Sequence, residues 1–140
     1  MRDNYFLDTN IIVYLFDQNE PTKKKIAYQL VQAGLEDHHT FVSYQVVQEF
    51  INVSTKKFRR PLSFDDCKRF VETALIPLWR VYPSKELFIK AIDISERYKY
   101  SFYDSLIISS AIESSVDILY SEDLQDGQQI ERVTIVNPFV

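Results

Sequence analysis

The side chains that could carry chemistry in this sequence are mainly carboxylates. Aspartate and glutamate number 20 against 16 lysines and arginines, and the formal net charge is −4. Two histidines, one cysteine and two glycines accompany them. This composition excludes Gly-rich phosphate-binding loops and leaves too few soft ligands for a structural zinc site. It also disfavours Cys–His and Ser–His nucleophilic catalysis, because His38 and His39 are adjacent and lie in a predicted loop.

Two aspartates come directly after predicted strands. Asp8 follows the apolar run of residues 4–7, and Asp123 follows the run of residues 117–120. In α/β sheets, ligands and reacting groups gather beyond the carboxyl ends of the strands. Each aspartate could instead have a local role, Asp8 as a helix N-cap and Asp123 in an Asx-type turn, and the sequence leaves both interpretations open.

Asp104 lies in the first turn of a helix predicted for residues 103–114. At about 100° per residue, its side chain falls between Ile107 and Ile108 in the apolar stripe, facing the core. The helix dipole offers a first-turn aspartate about 0.3–1 kcal/mol, whereas burial of an unpaired carboxylate costs several times as much. The position therefore predicts a partner for Asp104, and a cation is the natural one.

Glu49 gives a weaker indication of the same kind. It lies at the edge of the apolar face of a helix predicted for residues 44–57, beside Val46 and Val53. A solvated glutamate at such a border is common, so the position alone favours an ordinary surface role.

The predicted elements alternate along the chain. Strands are predicted at residues 4–7, 40–42, 78–82, 117–120 and 133–136, and helices at residues 11–16, 21–34, 44–57, 64–76, 85–98 and 103–114. This alternation predicts one α/β domain over residues 1–140, with a mostly parallel sheet wrapped by helices on both faces. No apolar run reaches the roughly 18–20 residues of a membrane span. The single cysteine and the absence of a signal-peptide pattern predict a cytoplasmic protein.

Four short segments resemble, in order and in local context, the acidic motifs of PIN-domain ribonucleases. They are FLDTN at residues 6–10, QEF at residues 48–50, FYDSLI at residues 102–107 and SEDL at residues 121–124. The resemblance spans residues 4–136, and the chain is most similar to VapC-like toxins of type II toxin–antitoxin systems. It implies a PIN-like three-layer α/β/α fold.

The resemblance also implies a site. The catalytic acids would be Asp8, Glu49, Asp104 and Asp123, and the polar residues that orient them would be Thr9, Asn10 and Ser121. Hard oxygen donors suit Mg²⁺, with Mn²⁺ as a substitute. Asp8 and Asp104 are the expected direct ligands because a structural role explains them least, while Glu49 and Asp123 would bind directly or through water. Asp126 stands where some relatives carry a fifth acid.

The function implied is a Mg²⁺-dependent endoribonuclease that leaves a 5′-phosphate, the toxin of a toxin–antitoxin pair. Its partners would be RNA, a cognate antitoxin and a second copy of the chain, with no membrane. A non-catalytic PIN-like scaffold that binds RNA or protein is the alternative. A phosphatase of the haloacid-dehalogenase type fits less well. That family has a second aspartate two residues on, where this chain has Asn10, or a threonine four residues on, where it has Ile12.

The net charge argues against tight non-specific binding of nucleic acid, which normally depends on basic patches. Without the four predicted site acids, the formal charge of the remainder is zero. Basic residues cluster at residues 23–25 and 56–60. A solvated surface explains both clusters, and phosphate contact by the second cluster is an equal alternative.

Overall fold

A six-stranded sheet forms the centre of the computed structural model, which describes residues 3–140. The strands are β1 (Tyr5–Leu7), β2 (Thr40–Ser43), β3 (Trp79–Val81), β4 (Ile118–Tyr120), β5 (Gln129–Ile130) and β6 (Val133–Val136). Their order across the sheet is β3-β2-β1-β4-β6-β5. All neighbouring strands run parallel except β5, which is antiparallel to β6. In the register of the central strands, Phe6 lies between Phe41 and Leu119.

Helices connect the parallel strands and give a three-layer α/β/α arrangement. They are α1 (Thr9–Val13), α2 (Pro21–Asp37), α3 (Tyr44–Asn52), α4 (Phe64–Phe70), α5 (Ile76–Leu78), α6 (Lys85–Tyr98) and α7 (Phe102–Glu113). A 3₁₀ turn, Tyr14–Phe16, extends α1, and π-helical segments at Val53–Lys57 and Val71–Leu75 extend α3 and α4. No helix within residues 3–140 combines the length and the apolar character needed to cross a bilayer.

Serine side chains cap the N-termini of three helices. Ser63, Ser84 and Ser101 each accept a hydrogen bond from a backbone N–H three residues later, at 3.1 Å. Such caps satisfy one of the free N–H groups in a first helical turn. Ser101 therefore fixes the start of α7, and with it the position of Asp104.

The core lies on both faces of the sheet. Phe6 and Leu7 on the central strand are fully buried. Helix α7 is buried over every residue from Ser105 to Ala111, because it lies between the sheet and α6. Together these contacts explain the near-continuous apolar sequences of the central elements.

The structure confirms the α/β class and the alternation of strands and helices. It also contains the short antiparallel strand β5, which the sequence did not predict, and two helices end later than expected. The helix expected to stop before Pro77 continues to Leu78, because Pro77 lies in the first turn of α5, where its missing N–H costs little. Helix α2 continues past Gly34 to Asp37 and ends at His38 in the left-handed conformation. A Cβ at position 34 would lie 2.5 Å from Thr40 Cβ, so Gly34 serves close helix–strand packing.

Candidate active site

Three neighbouring parallel strands, β2, β1 and β4, end at the edge of the sheet where Asp8, Glu49 and Asp123 lie. Asp8 directly follows β1, the helix carrying Glu49 directly follows β2, and residues 121–123 directly follow β4. The backbone N–H of Asp8 donates to the Tyr120 carbonyl at 3.0 Å, which holds the two strand ends together. The sheet topology thus brings together acids that lie far apart in the chain.

Asp8 is a buried carboxylate with 6% of its surface exposed. Its Oδ1 accepts from the Thr9 N–H at 2.7 Å, and its Oδ2 accepts from the Ser121 hydroxyl at 2.7 Å. Asp8 is therefore the N-cap of α1. Asp8 therefore caps the helix and also belongs to the candidate site, so both of the interpretations that the sequence left open apply to it.

Asn10 joins the loop after β1 to the loop after β4. Its Nδ2 lies 3.1 Å from Asp123 Oδ2, 3.3 Å from Ser121 Oγ and 3.4 Å from Asp8 Oδ2. Its Oδ1 accepts from the Glu122 N–H at 3.1 Å. Asp8, Asn10, Ser121 and Asp123 thus form one hydrogen-bonded network, in which Asp123 is the exposed member.

The negative charges of the site act on Asp8. Burial is the main cause that raises the pKa of Asp8 from 3.8 to about 7, and hydrogen bonds from Ser121 and Thr9 oppose it. The nearby charges of Glu49 and Asp123 raise this pKa further. Three of the four predicted acids therefore share one electrostatic environment.

Gln45 positions Glu49 and was not anticipated from the sequence. Its side chain is 4% exposed, and its Nε2 donates to Glu49 Oε1 at 3.1 Å and to the Tyr103 carbonyl at 3.0 Å. It thereby links α3 to the first turn of α7. Its Oε1 is buried without a hydrogen-bond partner in the described part of the chain. The sequence does not indicate this role, because Gln45 is a single glutamine beside an apolar helix face.

Asp104 lies half-buried in the first turn of α7, next to the carbonyl that Gln45 contacts. The expectation that it points into the core from an apolar stripe is wrong. Helix α7 is buried around its whole circumference from Ser105 to Ala111, including its serines, so it has no single apolar stripe. The Asp104 carboxylate has no hydrogen bond or ion pair with any residue between positions 3 and 140.

The structure shows the local contacts of two further residues, Thr9 and Asp126. The Thr9 hydroxyl is buried and has no hydrogen-bond partner among residues 3–140, so Thr9 contacts Asp8 only through its backbone N–H. Asp126 accepts from the Asn137 N–H at 2.8 Å and ties the C-terminal segment to the loop after β4. This contact gives Asp126 a structural role.

Glu122 fixes the loop that carries Ser121 and Asp123. Its carboxylate contacts Lys23 Nζ at 2.6 Å and the Tyr14 hydroxyl at 2.5 Å. Lys23 also lies over the rings of Tyr14 and Phe139. Partial burial works against the charged carboxylate, but the hydrogen bonds from Lys23 and Tyr14 outweigh it and lower the pKa of Glu122.

The site offers the oxygen donors that a hard divalent cation prefers. Glu49 and Asp123 add their negative charges to the buried carboxylate of Asp8, and a cation would neutralise this concentration of charge. No three acidic, histidine or cysteine side chains within residues 3–140 stand close enough together to hold a metal ion as a group. The oxygen donors therefore suit a divalent cation, but the described side chains do not stand close enough together to form a complete set of ligands.

Solved structures resemble the chain over nearly its whole length. A toxin–antitoxin complex from Klebsiella pneumoniae has a TM-score of 0.68 at 20% identity, covering 96% of this chain and 98% of that chain. VapBC-1 from nontypeable Haemophilus influenzae has a TM-score of 0.64 at 22% identity, with coverages of 96% and 97%. VapC20 from Mycobacterium tuberculosis, a Sarcin-Ricin loop cleaving toxin, has a TM-score of 0.62 at 18% identity, with coverages of 86% and 90%.

These likenesses confirm the three-layer fold that the motifs predicted. A search of curated protein sequences gave no significant match. The model of the PIN domain family matches residues 5–131, which include all four acidic motifs. The chain therefore belongs to the PIN domain family, whose members of the VapC type are nucleases.

Proposed function

We propose that the protein is a metal-dependent endoribonuclease and the toxin of a toxin–antitoxin pair. One observation carries the proposal: a buried carboxylate, Asp8, lies at the carboxyl edge of the sheet with two further acids acting on it. The Asn10 and Ser121 side chains hold this carboxylate in place. PIN-domain nucleases generally use divalent metal ions, which agrees with such a cluster.

Asp8 and Asp104 would hold the ion directly, and Glu49 and Asp123 would hold it directly or through water. Bound Mg²⁺, or Mn²⁺ in its place, would supply an activated water and neutralise charge on the scissile phosphate. The chain's own part is positioning. Asn10 orients the carboxylates of Asp8 and Asp123, and Gln45 orients that of Glu49. Asp8 must also lose its proton before it can act as a ligand.

The substrate and the partners are proposed from the structural relatives. VapC20 cleaves the Sarcin-Ricin loop, and RNA is accordingly the substrate we propose here. Products would carry a 5′-phosphate. Relatives from Klebsiella pneumoniae and Haemophilus influenzae are toxin–antitoxin proteins, which supports an antitoxin as the partner. A homodimer in the cytoplasm completes the proposal.

One observation favours a second function, a non-catalytic scaffold that binds RNA or protein. Within the described residues, no three ligand-type side chains form a group that could hold a metal ion. A scaffold would need no such group. The two functions differ in one measurable property, which is cleavage that depends on a divalent ion.

The deciding experiment incubates an RNA pool with the protein in Mg²⁺, in Mn²⁺ or in EDTA and maps the new 5′ ends. We expect cleavage with either ion and none in EDTA, and the products should accept direct ligation at their 5′-phosphates. An Asp8→Asn preparation, purified in the same way, controls for contaminating ribonuclease and should be inactive. Equal cleavage in EDTA would contradict the metal mechanism, and no cleavage with either ion would favour the scaffold.

A further inference from the structure

A cleft of about 660 Å³ lies outside the carboxylate site. One wall is formed by the 3₁₀ turn after α1 and the loop that follows it, including Phe16 and Asn19. The other wall is formed by the end of the π-helical segment after α3 and the residues beyond it, Lys57 to Arg60. The second basic cluster of the sequence therefore lines a cleft and is not spread over a convex surface.

The cleft carries an excess of positive charge. Lys57, Arg59 and Arg60 are exposed, and none of their side chains has an ion pair or hydrogen bond within residues 3–140. Asp17 is the acid in the lining, and its carboxylate accepts from the Asn19 N–H at 2.9 Å in its own loop. Three cations are thus available to an anionic ligand in a chain whose net charge is −4.

Two aromatic side chains line the cleft beside these cations. Phe16 and Phe58 are half-buried, and their ring centroids lie 5.6 Å apart. Phe16 packs further against Phe50 and Phe70, which holds its ring in place. Fixed aromatic surface next to arginine is the combination that binds single-stranded nucleic acid, through base stacking and phosphate contacts.

The cleft also lies on the same pair of helices as the carboxylate site. Val13 lines the cleft and follows Asn10 by about one turn of α1. Lys57 follows Glu49 by about two turns along α3 and its π-helical extension. Helices α1 and α3 pack against each other, so a strand that leaves the acids along them reaches the cleft.

We propose that this cleft binds the single-stranded RNA substrate on one side of the scissile bond. Arg59, Arg60 and Lys57 contact phosphates, and the Phe58 ring stacks on a base. The inference rests on the proposed function, because it assigns the path of that substrate. An acidic protein segment would use the cations but would not need the aromatic rings or the neighbouring carboxylate site, and the observations therefore favour RNA.

The test measures binding of a fluorescent single-stranded RNA by anisotropy, in EDTA, over a series of salt concentrations. Arg59→Gln with Arg60→Gln is compared with Lys24→Gln and Lys25→Gln, which removes the same charge outside the cleft. Each lost phosphate contact should lower the slope of log affinity against log salt by about 0.7. We expect the arginine variant to lose about 1.4 from the slope and the lysine variant to keep the wild-type slope.

Phe58→Leu separates stacking from charge, since it keeps an apolar side chain against the core. We expect an affinity loss of about fivefold or more with an unchanged salt slope, provided that the variant melts as wild type does. If Phe58→Leu is unstable, competition by unlabelled polyuridine against polyglutamate of equal charge provides the same distinction. Polyuridine should compete much better, and equal competition would overturn the assignment to RNA.

The outcomes for the cleft and for the proposed function are distinct. RNA binding by the cleft is contradicted if the arginine variant keeps the wild-type slope of log affinity against log salt, or if no RNA binding is measurable at the lowest salt. Either result contradicts it even if the wild type cleaves RNA. If the arginine variant has a reduced salt slope but the wild type never cleaves RNA, the result supports RNA binding by the cleft and contradicts the proposed nuclease function.

Discussion

At the scale of single residues, Asp8 combines two roles that usually fall on different side chains. It caps α1 through the Thr9 N–H, and it supplies a buried carboxylate to the site. The capping hydrogen bond offsets part of the cost of burial, yet the pKa of Asp8 still rises to about 7. Without a cation, the carboxylate is therefore protonated in about half of the molecules at neutral pH.

This pKa predicts an unusual dependence of stability on pH for an aspartate. Between its ordinary pKa of 3.8 and about 7, Asp8 binds a proton in the folded state but not in the unfolded state. Its contribution to the free energy of unfolding is therefore complete below about pH 4 and is lost as the pH rises through 7. At about 1.4 kcal/mol per pH unit, the loss from pH 5 to pH 7 is at most about 3 kcal/mol.

Urea unfolding of wild type and Asp8→Asn in EDTA at pH 5 and pH 7 checks this expectation. Asparagine can still accept from the Thr9 N–H, but it does not titrate. Wild type should lose more free energy of unfolding than the variant between the two pH values. Parallel profiles for the two proteins would show that the Asp8 pKa is not raised.

At the scale of elements, the geometry of the site depends on the hydrogen bonds and the ion pair that join helices and loops to one another. Gln45 connects α3 to α7, and Asn10 connects the start of α1 to the loop after β4. Lys23 on α2 reaches Glu122 in the same loop. These connections set the distances between acids that stand on different elements.

The contact between Lys23 and Glu122 predicts an effect on catalysis from a residue outside the acid quartet. Lys23→Met leaves the Glu122 charge unpaired beside Asp123 and loosens the loop. Because misplacement of about 1 Å can cost up to about a hundredfold in rate, we expect kcat to fall by about tenfold or more with little change in KM.

Lys23→Arg should restore kcat, since arginine can still pair with Glu122. Lys24→Met serves as the matched control, because Lys24 is the next residue of α2 and lacks the contact with Glu122. A change in KM alone, or an equal effect of Lys24→Met, would show that Lys23 acts through general charge and not through the loop.

At the scale of the whole molecule, the sequence pattern predicted the α/β fold and its five parallel strands, but not the short antiparallel strand β5. Strands β1 and β4 are short apolar runs that are each followed at once by a polar residue, and the four acidic motifs fall within the span of the PIN domain. Residues whose roles depend on the tertiary path were missed. Lys23 meets Glu122 and Gln45 meets the Tyr103 carbonyl across long separations in the chain, which no local spacing encodes.

The environment of Asp104 could not be predicted for a related reason. A helical wheel assumes that one face of a helix is buried, whereas α7 is covered by both the sheet and α6. Asp104 lies half-buried in the first turn of this helix and not within an apolar stripe. Its carboxylate has no partner within residues 3–140, so Asp104→Asn removes a charge without removing a protein contact.

Asp66 provides a matched control for Asp104. Each is the third residue of its helix, and each donates its backbone N–H to the capping serine at 3.1 Å. Asp66 is exposed on α4 and lies outside the four acidic motifs. Asp66→Asn therefore makes the same chemical change in the same helical position without altering the site.

Binding of a divalent ion by the carboxylates is tested most directly by melting wild type, Asp104→Asn and Asp66→Asn with and without Mg²⁺. Wild type and Asp66→Asn should gain about 2.7 kcal/mol at a hundredfold excess of Mg²⁺ over its Kd, and Asp104→Asn should gain much less. Without the ion, Asp104→Asn should be at least as stable as wild type. A wild-type response to Mg²⁺ in Asp104→Asn, or a lower melting temperature in EDTA, would contradict a metal site built on Asp104.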